Sequence, residues 1–323
     1  MILGGLSFFS PSRVANASSQ KGEEMAWAGT VYVALAALFW GLSGGIGGVL
    51  MASGWDPFVV SFYRGAIGLL FVLVWLGLRP QGSGLGNRRV WFWSVVAGCG
   101  VAGNFSFYFV SIAQSSLAVA VMLMYCAPVF VSLISFALKL ERPTPLKWGA
   151  VALVMVGILL LTRVYDFGFT GVTLIGVAAG LLAGLSYAVF IFGFKSAAPH
   201  GSPQAILSIA FTALVILLIG PSDASQLVAV MHTPDWPLFA GLGVLGAGLS
   251  FVLYIIGLNQ TTPTMASIVA MVEPVTASLL GVILFNEKLV GSQIFGMGLI
   301  LITVTVLSAH LSLRRPSSDS TTR

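Results

Sequence analysis

The segment YFVSIAQSSLAVAVMLMYCAPVFVSLISFALKLE, residues 108–141, aligns without gaps with YIIGLNQTTPTMASIVAMVEPVTASLLGVILFNE, residues 254–287. Matched residues include tyrosine, glutamine, proline, serine and glutamate: Tyr108 with Tyr254, Gln114 with Gln260, Pro128 with Pro274, Ser132 with Ser278 and Glu141 with Glu287. Because one offset relates all of them, the chain is predicted to contain two structurally similar halves.

The composition around this repeat is that of a membrane protein. Hydrophobic residues make up 57% of the 323 residues, charged residues only 8%, and the mean hydropathy is +0.99. A soluble domain cannot bury so much apolar surface, and the alternating pattern of a β-barrel is absent. We predict an all-α polytopic membrane protein with ten transmembrane helices and short loops, at residues 27–52, 57–78, 91–112, 115–138, 145–162, 171–194, 203–220, 236–258, 264–285 and 289–310.

An odd number of spans in each half makes the two halves enter the membrane from opposite sides. The predicted domains are therefore inverted five-helix repeats at 27–162 and 171–310, joined by a linker at 163–170. Residues 1–26 and 311–323 are predicted as cytoplasmic tails. We interpret the first as mobile, with Met25 as an alternative translation start because it directly precedes the first span.

The basic residues are distributed unevenly across the predicted membrane domain. If both termini are cytoplasmic, twelve of the fifteen Lys and Arg residues lie on the cytoplasmic side, two lie outside, and Arg64 lies within a span. Such an excess is typical of cytoplasmic loops. We therefore expect cytoplasmic termini in the cell membrane. The net charge of +5 is interpreted as a topology signal, not as a nucleic-acid-binding surface.

Two longer stretches carry a family resemblance. They are PVFVSLISFALKLERPTPLKWGAVALVMVGILLL from Pro128 and EPVTASLLGVILFNEKLVGSQIFGMGLILITVTVL from Glu273, with ALFWGLSGG from Ala37 and SFYRGAIGLL from Ser61 fitting the same pattern. Together they resemble the EamA repeats of the drug/metabolite transporter superfamily, from about residue 27 to residue 311. The resemblance implies a ten-helix permease, and many such relatives are bacterial exporters of amino acids or related metabolites.

Inverted repeats favour transport, because a site at their interface can open to either side in turn. We expect a secondary transporter of a small organic metabolite that works by alternating access, with an amino-acid or related-metabolite exporter as the leading case. A multidrug efflux pump, an uptake permease and a non-transporting receptor, scaffold or intramembrane enzyme are the alternatives. The expected partners are a small-molecule substrate, the lipid bilayer and protons, with no nucleic acid; the sequence does not define an oligomeric state.

Two charged residues inside the predicted spans are the main candidates for coupling or substrate binding. Arg64 must face protein or water, since exposing a charge to lipid costs about 2.5–3.5 kcal/mol, and its planar guanidinium suits a substrate carboxylate. Glu273 lies near the predicted midplane and can alternate between a proton and substrate. The structural alternatives are snorkelling of Arg64 to headgroups, an ion pair between the two residues, or hydrogen bonds within the bundle.

Other candidates are polar or amphipathic groups at mid-span depths: Trp40, Asn104, Tyr125, Tyr187 and Ser250. Each fits interhelical packing, and as a set they fit the lining of a cavity. Pro128 and Pro274 are hinge candidates because proline removes a helical hydrogen bond at matched positions of the two halves.

The sequence lacks the motifs of several other classes. It contains no Walker loop, HExxH motif or CxxC cluster, so it gives no support to ATP hydrolysis or metalloenzyme chemistry. Cys99 and Cys126 both lie within predicted spans and are interpreted as packing residues. We therefore predict no catalytic residue, no metal site and no cofactor.

Overall fold

The computed structural model describes residues 11–166, 172–285 and 288–313, and in these ranges the regular structure is helical throughout. Ten helices can be assigned to membrane spans: α1 Pro11–Ala52, α2 Pro57–Leu78, α3 Arg88–Gln114, α4 Leu117–Met124 with Ala127–Ala137, α5 Pro145–Thr162, α6 Leu174–Ala197, α7 Pro203–Ile219, α8 Trp236–Gln260, α9 Pro263–Val269 with Val272–Phe285, and α10 Gly291–Leu313.

The predicted fold class is confirmed. Within the described ranges, nine helices are long and apolar enough to cross a membrane, and α7 is a shorter apolar helix of 17 residues, which lies at the lower limit for a span. Helix α1 begins at Pro11, so the described part of the predicted N-terminal tail is helical, and the mobility of that tail stays a prediction. Part of the predicted linker lies outside the described residues. The same is true of Glu287, which the repeat pairs with Glu141, and of residues 314–323 of the C-terminal tail.

Most helices begin at a residue that can cap the free amide groups of the first turn. The Asp56 carboxylate accepts from the amides of Phe58 and Val59 at the start of α2, and the hydroxyl groups of Ser116 and Thr262 do the same for α4 and α9. Proline follows the cap of α2, α5, α7 and α9, where its missing amide has no helical partner to lose.

The contacts between helices follow a pseudo-twofold pattern in which α1–α5 exchange with α6–α10. The packing of α3 on α6 corresponds to that of α8 on α1, α3 on α7 to α8 on α2, and α4 on α6 to α9 on α1; the pairs α2–α7 and α5–α10 lie across the axis itself. The largest helix interfaces therefore join different halves.

Three helices that cross the centre of the molecule are irregular. The first parts of α4 and α9 end at Met124 and Val269, a few residues before Pro128 and Pro274, so the chain is interrupted at equivalent places. Helix α8 contains a π-helical turn at Val244–Leu249. Such turns are frequent at functional sites, and this one faces α2.

Two glycines allow the close approaches that shape the centre of the protein. A Cβ atom added at Gly41 of α1 would lie 2.7 Å from the backbone oxygen of Glu273 in α9, and one at Gly246 in the π turn would lie 2.9 Å from Arg64 Nε. A larger residue at either position would therefore push the helices apart. Gly44, in contrast, has no neighbour within 4 Å of such an atom, and it lines the cavity described next.

Candidate functional site

A cavity of about 690 Å³ lies between the two halves. It is lined by α1, α2, α3, α4 and α9, with contributions from α5, α6, α8 and α10. It extends to helix ends on one face of the protein, where Met51 and Leu117 are exposed. A pocket of this size suits a small organic molecule.

The cavity brings together most of the candidates predicted from the sequence. Its lining includes Trp40, Arg64, Asn104, Tyr125, Tyr187, Glu273 and Pro274. Ser250 and Pro128 do not line it. Ser250 is fully buried, about 12 Å further along α8 than Leu242, which does line the cavity. Ser250 therefore lies outside the cavity in this structure, and a role for it in binding or coupling stays a prediction. The role of both prolines as hinges stays a prediction.

Arg64 is held by the irregular backbone of α8. Its Nε and Nη2 atoms donate to the carbonyl oxygen of Gly246 at 3.0 and 2.8 Å, and its guanidinium carbon lies 5.4 Å from the centre of the Phe105 ring. This leaves Nη1 without an acceptor in the described part of the chain. The arrangement fixes the orientation of the guanidinium group and leaves donors available to a ligand.

Glu273 begins the second part of α9, directly after the interruption in that helix. Its side chain lines the cavity beside the hydroxyl group of Tyr125. Arg64 lies close enough to interact electrostatically, but the two form no direct ion pair. The ion pairs among the described residues join Lys147 to Glu141 and Arg163 to Asp166. The cavity therefore presents one cation and one acid as separate groups.

Aromatic rings line the floor of the cavity, and further rings, among them Tyr254, pack behind this floor without lining the cavity. The Trp40 ring lies 5.0 Å from the Phe251 ring and 4.9 Å from the Tyr254 ring, and Phe190 packs 4.4 Å from Tyr187, measured between ring centroids. A smaller cavity of about 30 Å³ lies in this floor and shares Trp40, Arg64, Asn104, Phe105, Tyr187 and Glu273 with the main cavity. Asn104 is fixed by donating from Nδ2 to the Ala183 carbonyl oxygen at 3.0 Å.

Sequence reasoning missed Tyr108, which lines the cavity and lies close enough to Glu273 for electrostatic interaction. The available signal was its match with Tyr254 in the repeat. It also missed the small and aromatic residues of the cavity wall, among them Ser61, Phe105 and Phe109. These residue types are common in any apolar helix, so their position in the sequence does not mark them.

The face opposite the cavity opening is closed by contacts at helix ends. Glu141 Oε1 of the first half accepts from the Thr264 amide of the second half at 3.0 Å, and Oε2 accepts from Lys147 Nζ at 2.6 Å. We call these three residues the latch. Nearby, Lys195 Nζ donates to the carbonyl oxygens of Leu258 and Thr261, each at 2.7 Å. Only 3% of the Glu141 side chain is exposed, so the ion pair with Lys147 is buried on the glutamate side.

Ten membrane helices arranged as two exchanged halves, with a charged central cavity that reaches one face, define a transporter-type membrane protein. The family model of the EamA-like transporter family matches residues 27–163 and 174–309. The chain belongs to this family, and it is a multi-pass membrane transporter.

Known relatives agree with this assignment. An uncharacterized transporter of Bacillus subtilis (strain 168), YwfM, is 25% identical over 285 residues, which cover 87% of this chain and 93% of the relative. The threonine/homoserine exporter RhtA of Salmonella typhimurium (strain LT2) is 31% identical over 214 residues, covering 66% of this chain and 68% of the relative. A solved crystal structure shares the fold, with a TM-score of 0.69 at 20% identity, over 88% of this chain and 98% of that one.

Proposed function

We propose that the protein is a secondary transporter that exports a small organic metabolite, an amino acid or a related compound, by alternating access. The observation that carries the proposal is the cavity between the halves, which holds Arg64 and Glu273 and whose exposed lining residues, Met51 and Leu117, lie at helix ends of one face in the described part of the chain. A group bound there has a path to that face, while the latch blocks the other.

The moving units in this proposal are the two predicted repeats, at 27–162 and 171–310, connected by the linker at 163–170. Export requires that the latch side open and the cavity side close in turn. Because the contact between Glu141 and Thr264 joins the two halves, it must break whenever the halves separate on that face. The interruptions before Pro128 and Pro274 offer places where α4 and α9 can bend.

The amino-acid assignment rests on the cavity and on the relatives together. The cavity offers separate acidic and basic groups within an apolar wall, and RhtA is named as a threonine/homoserine exporter. We therefore place amino acids ahead of cationic drugs as substrates. Multidrug efflux, uptake of a metabolite and a non-transporting role as receptor or scaffold are the competing functions, and we assign no enzymatic activity.

The orientation and energy source are further parts of the proposal. The unequal distribution of basic residues supports cytoplasmic termini in a bacterial inner membrane, which makes the latch face cytoplasmic and the cavity open to the outside. Glu273 is the acid inside the cavity, so we assign it the coupling of protons to substrate movement.

Resistance tests in bacteria separate these functions. Cells that express the protein are challenged with toxic amino-acid analogues and with cationic drugs, and cells that express Arg64→Ala serve as the matched control. Amino-acid export predicts resistance to the analogues that the variant lacks. Resistance to drugs alone indicates multidrug efflux, and increased sensitivity to the analogues indicates uptake. No change with either class, despite normal expression, contradicts transport of both.

A further inference from the structure

Three residues that line the small cavity in the aromatic floor carry hydrogen-bond donors that are not used within the described part of the protein. Trp40 Nε1 and the Tyr187 hydroxyl group are buried and have no hydrogen-bond partner among the described residues. Trp40 is 3% exposed and Tyr187 is 4% exposed. Arg64 lines the same cavity with its Nη1 donors unused. Leaving buried donors unpaired is costly, so this cluster calls for an acceptor.

The chemistry of the donors restricts what that acceptor is. The indole and guanidinium groups can only donate, and the tyrosine hydroxyl group can do so as well. A guanidinium group binds a carboxylate in preference to a neutral carbonyl or hydroxyl oxygen, because charge and planar geometry both match. The cavity volume of about 30 Å³ is roughly twice the 10–15 Å³ that one water-sized group needs, which suits the two oxygen atoms of a carboxylate.

Glu273 on the same cavity restricts the rest of the ligand. An ionised carboxylate beside it is repelled unless a cation lies between the two acids. A zwitterion brings that cation with it, and its ammonium group can contact Glu273 and the faces of the surrounding aromatic rings. The site and a zwitterion are then both neutral overall, and each charge of the ligand lies beside the opposite charge of the site.

From this arrangement we propose that Arg64, Trp40 and Tyr187 form a carboxylate subsite at the cavity floor, with Glu273 binding the ammonium group of the same ligand. The inference deepens the proposed function and rests on it for the identity of the cavity as the transport site. It assigns the substrate to free amino acids and excludes amines without a carboxylate.

Binding to the purified full-length protein tests the subsite. The probes are the twenty proteinogenic L-amino acids, their methyl esters, which lack the carboxylate, and their N-acetyl derivatives, which lack the ammonium group. We expect at least one amino acid to bind about tenfold or more tightly than either derivative, since a hydrogen bond to a charged group changes affinity by about ten- to a hundredfold.

Trp40→Phe and Tyr187→Phe each remove one donor and keep an aromatic ring. We expect each to weaken binding of the amino acid about tenfold or more and to leave binding of its methyl ester unchanged. Tyr254→Phe is the matched control, because its hydroxyl group is also buried and unpaired but its side chain lines neither cavity. This variant is expected to bind as the wild type does.

The outcomes distinguish the subsite from transport itself. Equal binding of acid and ester, or wild-type binding of the acid by well-folded Trp40→Phe and Tyr187→Phe, overturns the subsite and shows that the donors serve water only. Flux of a cationic drug without binding of any amino acid overturns the subsite and keeps the transporter. Carboxylate-dependent binding without flux in proteoliposomes supports the subsite and contradicts the proposed function.

Discussion

Replacing Glu141 by alanine is expected to shift the protein toward a state open on the latch face. The substitution removes the hydrogen bond from Lys147 Nζ at 2.6 Å and the one from the Thr264 amide at 3.0 Å. Hydrogen bonds to a charged group contribute about 1.5–3 kcal/mol each. Water replaces part of the first one, because 20% of the Lys147 side chain is exposed.

Only the bond from Thr264 joins the two halves, because Glu141 and Lys147 both belong to the first half. We therefore expect a loss of about 1.5–3 kcal/mol, which is roughly a ten- to hundredfold change in the ratio of open to closed states. Glu141→Gln keeps an acceptor for the Thr264 amide but loses the charge, so its shift is smaller, about tenfold. Both variants shift the equilibrium in the same direction, and the alanine variant shifts it further because it removes the acceptor of the Thr264 amide altogether.

Distance measurements by double electron–electron resonance detect this change. Spin labels are placed at Leu140 and Asn259, which are exposed on the latch face, after replacement of Cys99 and Cys126 by alanine. The wild type is expected to show one short distance, and Glu141→Ala a second, longer population.

The matched control is Arg163→Ala, which breaks the other ion pair of the described residues, with Asp166. Both side chains of that pair are about one-third exposed, and such pairs contribute little. The reasoning is refuted if folded Glu141→Ala keeps the wild-type distance distribution, or if Arg163→Ala shifts it as strongly.

Further predictions concern pH, topology, coupling and the π turn. Burial raises the pKa of Glu141, but the hydrogen bonds from Lys147 and Thr264 and the Lys147 charge together lower it below the ordinary value of 4.5. The contribution of the latch is then fully present above pH 4.5 and lost as the pH falls through the lower pKa, so wild-type distances should be constant from pH 5 upward and broaden only in stronger acid. Cysteine tags at the N-terminus, near Gln81 and at the C-terminus should all be labelled from the cytoplasm, and an external C-terminus contradicts the topology. In Glu273→Gln, flux driven by a pH gradient should fall while exchange at equal pH survives; wild-type pH-driven flux in this variant would rule out the coupling role. Gly246→Ala places a Cβ atom against Ser43 Cβ and 2.9 Å from Arg64 Nε, so we expect lower thermal stability together with about tenfold weaker amino-acid binding; unchanged affinity in the folded variant would show that the position of the guanidinium is not critical.

Much of the fold could be predicted because the repeat and the apolar runs act locally. The predicted span starts at Pro57 and Pro145 agree with the structure, because each proline directly follows a capping residue and this pair marks the first residue of a helix. The start of α1 could not be found in this way, because residues 11–26 are too polar to resemble a span although they continue the helix.

The candidate site could be predicted where a residue type is costly in lipid. Arg64 and Glu273 stand out for this reason, and both line the cavity. The sequence did not show that Ser250 lies outside the cavity, because a serine inside a helix is also tolerated in packing and the π turn before it was not visible in the sequence. The hydrogen bonds from Arg64 to the Gly246 carbonyl oxygen depend on that turn, so sequence spacing alone could not predict them.

The central claim, alternating access through the cavity between the halves, is tested most directly by flux through a protein that cannot open its latch face. Cysteines at Leu140 and Asn259, in the protein lacking Cys99 and Cys126, are joined by a thiol-cleavable cross-linker, and amino-acid flux is measured in proteoliposomes. Each single-cysteine variant treated with the same reagent is the control. The account predicts that flux stops in the cross-linked protein and returns when reductant cleaves the linker. Flux that continues unchanged through the cross-linked protein would contradict it.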